Sequence, residues 1–137
     1  MKKIFIDTNI IIDLLADRKP YSKFAIALFV SAEQKRISLF ASPLSIANAH
    51  YILKKYIPES KLRELILGIL DYVSIVTVSE DTIKKGLRSV HKDFEDALQI
   101  VCAGSIAKLD CIVTRDLKDF QKSEIPVYTP DQVVQFL

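Results

Sequence analysis

Five short apolar runs rich in β-branched residues alternate with stretches of helical periodicity, and this alternation limits the possible folds more than any other feature of the 137-residue chain. The runs lie near residues 4–7, 38–41, 74–78, 110–114 and 127–128. The helical stretches lie near 20–35, 43–57, 59–72, 79–91, 93–108 and 130–136. Strands that are apolar on both faces and separated by helices pack as a parallel sheet covered on both sides. The expected fold is a three-layer α/β/α sandwich around a central parallel sheet of four to five strands. Such sheets hold ligands in the crevice beyond the carboxyl ends of their strands. With no internal repeat and no Gly/Ser-rich linker, residues 1–137 read as a single domain.

The first run, KKIFIDTNIIIDLL, is broken by Asp7, Thr8 and Asn9 before the apolar pattern resumes. Either a strand ends and a polar cap opens a helix near Ile10, or the strand end is a site. The apolar run before Asp7 is too short for a signal peptide or a membrane span, so a cytoplasmic protein with no membrane association is expected. A formal net charge of +2 neither requires nor excludes a polyanionic partner. Cys102 and Cys111 sit in apolar surroundings with no zinc spacing, and read as core residues.

Three carboxylates fall on one rim of the expected sheet. Asp7 closes the first strand, Asp116 follows the strand at 110–114, and Asp96 lies in the first turn of the preceding helix. Each has a local explanation as a cap, a dipole-favoured acid or a turn residue. Together they repel one another, and the usual compensation is a hard divalent cation, Mg²⁺ or Mn²⁺, on oxygen ligands. Asp119, one turn beyond Asp116, reads equally as a fourth acid or as the N-cap of a short helix. Glu95 is expected to point elsewhere, into solvent. Ser42-Pro43, Asp93 and Thr129-Pro130 read as helix starts.

FIDTNIIIDLL, SPLSIANAHYILKK, DFEDALQIVCA and IVTRDLKDF resemble, in order and spacing, the successive motifs of the PIN-domain family, and the likeness extends over essentially the whole chain. It implies a metal-dependent ribonuclease of the VapC-like toxin type, with RNA as substrate, an antitoxin as partner and a homodimer as assembly. Asp7, Asp96 and Asp116 match the family's metal-binding acids. Thr8 and Asn9 would orient Asp7, and Thr114 would meet a metal-bound water or a phosphate.

The sequence departs from the family where an acid, often Glu, usually follows the second strand; the aligned residue here is Asn48. Asn48 shares a helical stripe with Leu44, Tyr51 and Ile52, so it faces inward, as a ligand or as a core amide. For RNA phosphates, Arg115 at the rim is the first candidate, followed by Lys84 and Arg88, which share a helix face with Lys92. Phe24, Leu28 and Phe29 form the apolar face expected at a dimer contact.

Three other readings compete. One is a catalytically weak PIN-like module that binds RNA or protein. Another is a plain scaffold. The third is an aspartate-based phosphatase, which is disfavoured because the second Asp it needs two residues after Asp7 is Asn9.

Overall fold

A computed structural model describes residues 2–137. Five strands, β1 (Lys2–Ile6), β2 (Ile37–Ala41), β3 (Val73–Ile75), β4 (Cys111–Val113) and β5 (Val127–Tyr128), form one sheet in the order β3-β2-β1-β4-β5. Every pairing is parallel. The helices are α1 (Thr8–Leu15), α2 (Ser22–Glu33), α3 (Pro43–Leu53), α4 (Glu59–Ile69), α5 (Glu80–Leu87), α6 (Phe94–Gly104) and α7 (Pro130–Val134), with a 3₁₀ turn at Leu117–Phe120.

The period-2 alternation of the strands builds two cores. Ile4 and Ile6 point into the layer of α1–α4 and α7, beside Ile10, Leu28 and Leu53. Phe5 and Ile112 point to the other face, against Ile100 and Ala103 of α6 and Phe120 of the 3₁₀ turn. Cys102 and Cys111 are unpaired and buried in these cores. Among the described residues no helix is long and apolar enough to cross a membrane.

The expected sandwich forms, with two boundary differences that matter for the site. The helix expected at 79–91 stops at Leu87, because the Ser89 hydroxyl donates to the Gly86 carbonyl at 2.8 Å and so competes with the helical pattern. Lys92 therefore leaves the helix face that holds Lys84 and Arg88. The 8–15 segment, whose polar start had two readings, is a full helix.

Of the apolar face expected at a dimer contact, Phe24 is half-buried and the rest is enclosed. Leu28 is 0% and Phe29 8% exposed, both packed in the core under α2. The apolar side chains open to solvent nearby are Ile26 and Val30 of α2, with Leu67, Leu70 and Tyr72 at and after the end of α4.

Candidate metal centre at the carboxyl ends of the strands

The chain runs from β1 out to β3, then crosses back to place β4 on the other side of β1. The sheet's switch point thus lies between β1 and β4, where an α/β sheet leaves a crevice. Asp7 is the first residue after β1, and Thr114 and Asp116 follow β4. The N-terminal halves of α3 and α6 open onto the same end. Asp7, Asn48, Glu95, Asp96, Asp116 and Asp119 all line one cavity of about 560 Å³.

Asp7 answers both readings of the opening stretch. It is the N-cap of α1, its Oδ1 accepting from Thr8 N at 2.8 Å, and it is also the most interior acid of the cavity. Three further donors fix it. Gln99 Nε2 donates to Oδ1 at 3.2 Å, Thr114 Oγ1 to Oδ2 at 2.8 Å and Asn9 Nδ2 to Oδ2 at 3.4 Å. The same Asn9 nitrogen lies 3.3 Å from Asp116 Oδ2, so one amide bridges the two carboxylates. Asn9 is thus placed against both carboxylates. Thr114, expected to meet a water or a phosphate, is fully buried and donates to Asp7 instead.

Gln99 carries a role the sequence left unread. It is 1% exposed, yet it bonds three partners: Asp7, Ser45 Oγ at 2.7 Å, and Ser42, whose hydroxyl donates to Oε1 at 2.5 Å. Thr8 Oγ1 closes the set on Ser45 at 3.0 Å. A buried amide with every group satisfied holds its partners in one geometry. The visible signal was a polar residue on the buried side of the helix that FEDALQ begins.

Across the cavity, Asp93 caps α6 by accepting from Asp96 N at 3.0 Å, which sets Asp96 in the first turn. Burial, and then the neighbouring Asp93, Asp119, Asp7 and Glu95 charges, push the Asp96 carboxyl up to about 7. Burial is also the main cause that raises Asp7, ahead of its hydrogen bonds, which act in the opposite direction. Glu95 is exposed, as expected, but it also lines the cavity: Asn48 Nδ2 donates to its Oε1 at 2.6 Å, and partial burial followed by the Asp93 and Asp7 charges raises its pKa. Asn48 is half-buried on the cavity wall with Tyr51 and Ile52, and Ile52 also packs against the core. Asp119 lies inside the 3₁₀ turn and lines the cavity, while Asp116 takes the N-cap position.

Arg115 borders the cavity, but its Nε and Nη2 bond to Asp13 at 2.7 and 3.1 Å, and its guanidinium lies 4.0 Å over the Tyr21 ring. Asp13, 1% exposed, is a second buried partner that the sequence did not single out. Lys84 and Arg88 are not among the cavity's lining residues, and Lys84 pairs with Glu80 at 3.4 Å.

The donor set fits a hard cation by its chemistry. Carboxylate oxygens dominate, and three of the acids, Asp7, Glu95 and Asp96, are held against their own ionisation, the strain a divalent ion relieves. Among the described residues no three His, Cys, Asp or Glu side chains come close enough to form a ligand group by themselves. An ion held here would reach part of the set through waters, as Mg²⁺ commonly does.

The PIN domain family model matches residues 3–118. Ribonuclease VapC1 of Aquifex aeolicus (strain VF5) is 25% identical over 137 residues, covering 96% of this chain and 92% of that protein. A solved toxin–antitoxin complex from Klebsiella pneumoniae contains a chain 28% identical, with a TM-score of 0.67 over 93% of this chain and 97% of that one. VapBC2 from Rickettsia felis, solved bound to a DNA fragment from its promoter, shares the fold at 16% identity, with a TM-score of 0.68 over 93% and 98% of the two chains. The motif order, the cavity acids and the family model agree: this chain belongs to the PIN-domain family.

Proposed function

We propose that the protein is a Mg²⁺- or Mn²⁺-dependent endoribonuclease, the toxin of a toxin–antitoxin pair. One observation carries the reading: Asp7, Asp96 and Asp116, from three separate elements, line one cavity at the sheet's switch point. The likeness to Ribonuclease VapC1 and to a toxin–antitoxin complex supports it. Asp7, Asp96 and Asp116 would hold the ion, with Glu95, Asn48 and Asp119 around them. A bound divalent ion lowers the pKa of its water and offsets charge that develops on the phosphoryl oxygens.

The chain's own residues do the rest. The bonds from Thr8, Gln99, Thr114 and Asn9 fix Asp7, leaving it no freedom to turn from the cavity. Asn9 sets the spacing between Asp7 and Asp116. Asn48 directs Glu95, which supplies a charge that Asn48 itself lacks. No protein nucleophile is required.

The partners that follow are RNA, an antitoxin protein and a second copy of the chain. A role as an RNA- or protein-binding module is the second reading, favoured by the neutral Asn48 and by the open spacing of the acids. Labelled single-stranded RNA incubated with Mn²⁺ or with EDTA separates them: cleavage in Mn²⁺ alone supports the nuclease, and binding without cleavage supports the module.

A further inference from the structure

We infer that a single nucleic-acid strand crosses the carboxylates along a defined path, with Tyr51 as a stacking platform for a base on one side and Lys92, Lys118 and Lys122 as the phosphate-binding group on the other. The inference rests on the proposed phosphodiesterase reading and adds the path of its substrate. Tyr51 lines the acidic cavity from α3, one helical turn from Asn48, yet it is 60% exposed. Two ammonium groups lie over its ring, Lys54 Nζ at 4.8 Å and Lys55 Nζ at 5.6 Å from the centroid. A solvent-exposed aromatic ring with mobile cations over it suits a single strand, because a stacking base displaces the ammonium groups onto the phosphates beside it.

On the far side, a second cavity of about 480 Å³ shares Asp96 and Asp119 with the first. Its wall carries Lys92, Lys118 and Lys122, with His91. Its acids are Asp93, Asp96 and Asp119, and Asp93 is occupied as the cap of α6. The carboxylates thus lie between a stacking platform and an ammonium cluster. A strand held at both ends would present an intervening phosphodiester to Asp7, Asp96 and Asp116. The early end of α5 at Leu87 makes this possible, because it releases Lys92 into the loop before Asp93.

The test uses a 2-aminopurine-labelled single-stranded RNA oligonucleotide, titrated in EDTA against wild type and variants, with Mn²⁺ cleavage assayed in parallel. Tyr51→Phe should keep the 2-aminopurine quench and bind within about twofold of wild type. Tyr51→Ala should lose the quench and bind on the order of tenfold more weakly. Replacing Lys92, Lys118 and Lys122 by Gln should flatten the salt dependence of binding by up to about two, at roughly 0.7 for each phosphate no longer neutralised. The Lys84→Gln/Arg88→Gln pair on and just after α5 should leave that slope unchanged. If wild type cleaves RNA but Tyr51→Ala keeps affinity and quench, or only the Lys84/Arg88 pair flattens the slope, the path is wrong and the nuclease reading stands. If wild type neither binds nor cleaves RNA, both fail.

Discussion

Asn48 Nδ2 donates to Glu95 Oε1 at 2.6 Å, joining α3 to the first turn of α6 across the mouth of the cavity. At the position where the likeness to PIN domains led to the expectation of an acid, this chain has an amide, and the amide holds a carboxylate from another helix.

Asn48→Asp would set two carboxylates against each other within hydrogen-bonding distance. Metal-free protein should lose stability at pH 8, and lose less at pH 6, where the raised carboxyls of Glu95 and Asp96 hold their protons more often. Mn²⁺ should then raise the melting temperature more than in wild type, because binding to the native state recovers the loss. Thermal melts with and without Mn²⁺ decide it; an unchanged metal response would remove Asn48 from the site.

Metal binding should depend on pH through Asp96. Its folded pKa of about 7 lies above the ordinary aspartate value, so the native state binds more protons than the unfolded one. Without metal, stability should therefore fall as pH rises toward and through 7. Mn²⁺ competes with that proton, so affinity should climb about tenfold between pH 6 and 8, with close to one proton released near pH 6. Calorimetry in buffers of different ionisation enthalpy measures the release. Flat affinity over this range would contradict the assignment.

Gln99→Leu keeps the size of the side chain but removes a donor to Asp7 and Ser45 and an acceptor for Ser42. The buried hydroxyls left short of partners should destabilise the fold by roughly 2–4 kcal/mol. Mn²⁺ affinity should fall as well, because Asp7 loses one of its fixing bonds. Urea unfolding and metal titration read the two effects separately; loss of stability with unchanged metal affinity would make Gln99 a packing residue only.

Arg115→Met would strand Asp13, which is 1% exposed, without its bidentate partner. A loss of about 3–5 kcal/mol is expected. The double variant Asp13→Asn/Arg115→Met should recover much of it. If the single variant keeps full stability and loses only RNA affinity, Arg115 is a phosphate contact, as its position at the rim first suggested.

Much of this was legible in the sequence because parallel strands buried on both faces leave a strong signature. Once they are placed, Asp7 and Asp116 must share an edge. Asp96 followed from its helix start. The misreadings came from side-chain direction and from pairings across the chain. Glu95 turns into the site because Asn48, 47 positions away, offers it a donor. Asp13 is buried with its partner Arg115, 102 positions on. Lys92 left its expected helix through one serine hydroxyl. Such pairings have no periodic trace.

The most direct measurement is cleavage of one single-stranded RNA by wild type and by Asp96→Asn in Mn²⁺, with the product ends identified. Wild type should cleave only with the metal, and EDTA should stop it. Asp96→Asn should be slower by about two to three powers of ten, the scale of several kcal/mol of charge stabilisation. Attack by water leaves no cyclic phosphate. Cleavage that survives EDTA, proceeds equally in Asp96→Asn or yields 2′,3′-cyclic phosphate ends would contradict a metal-assisted hydrolysis at this cavity.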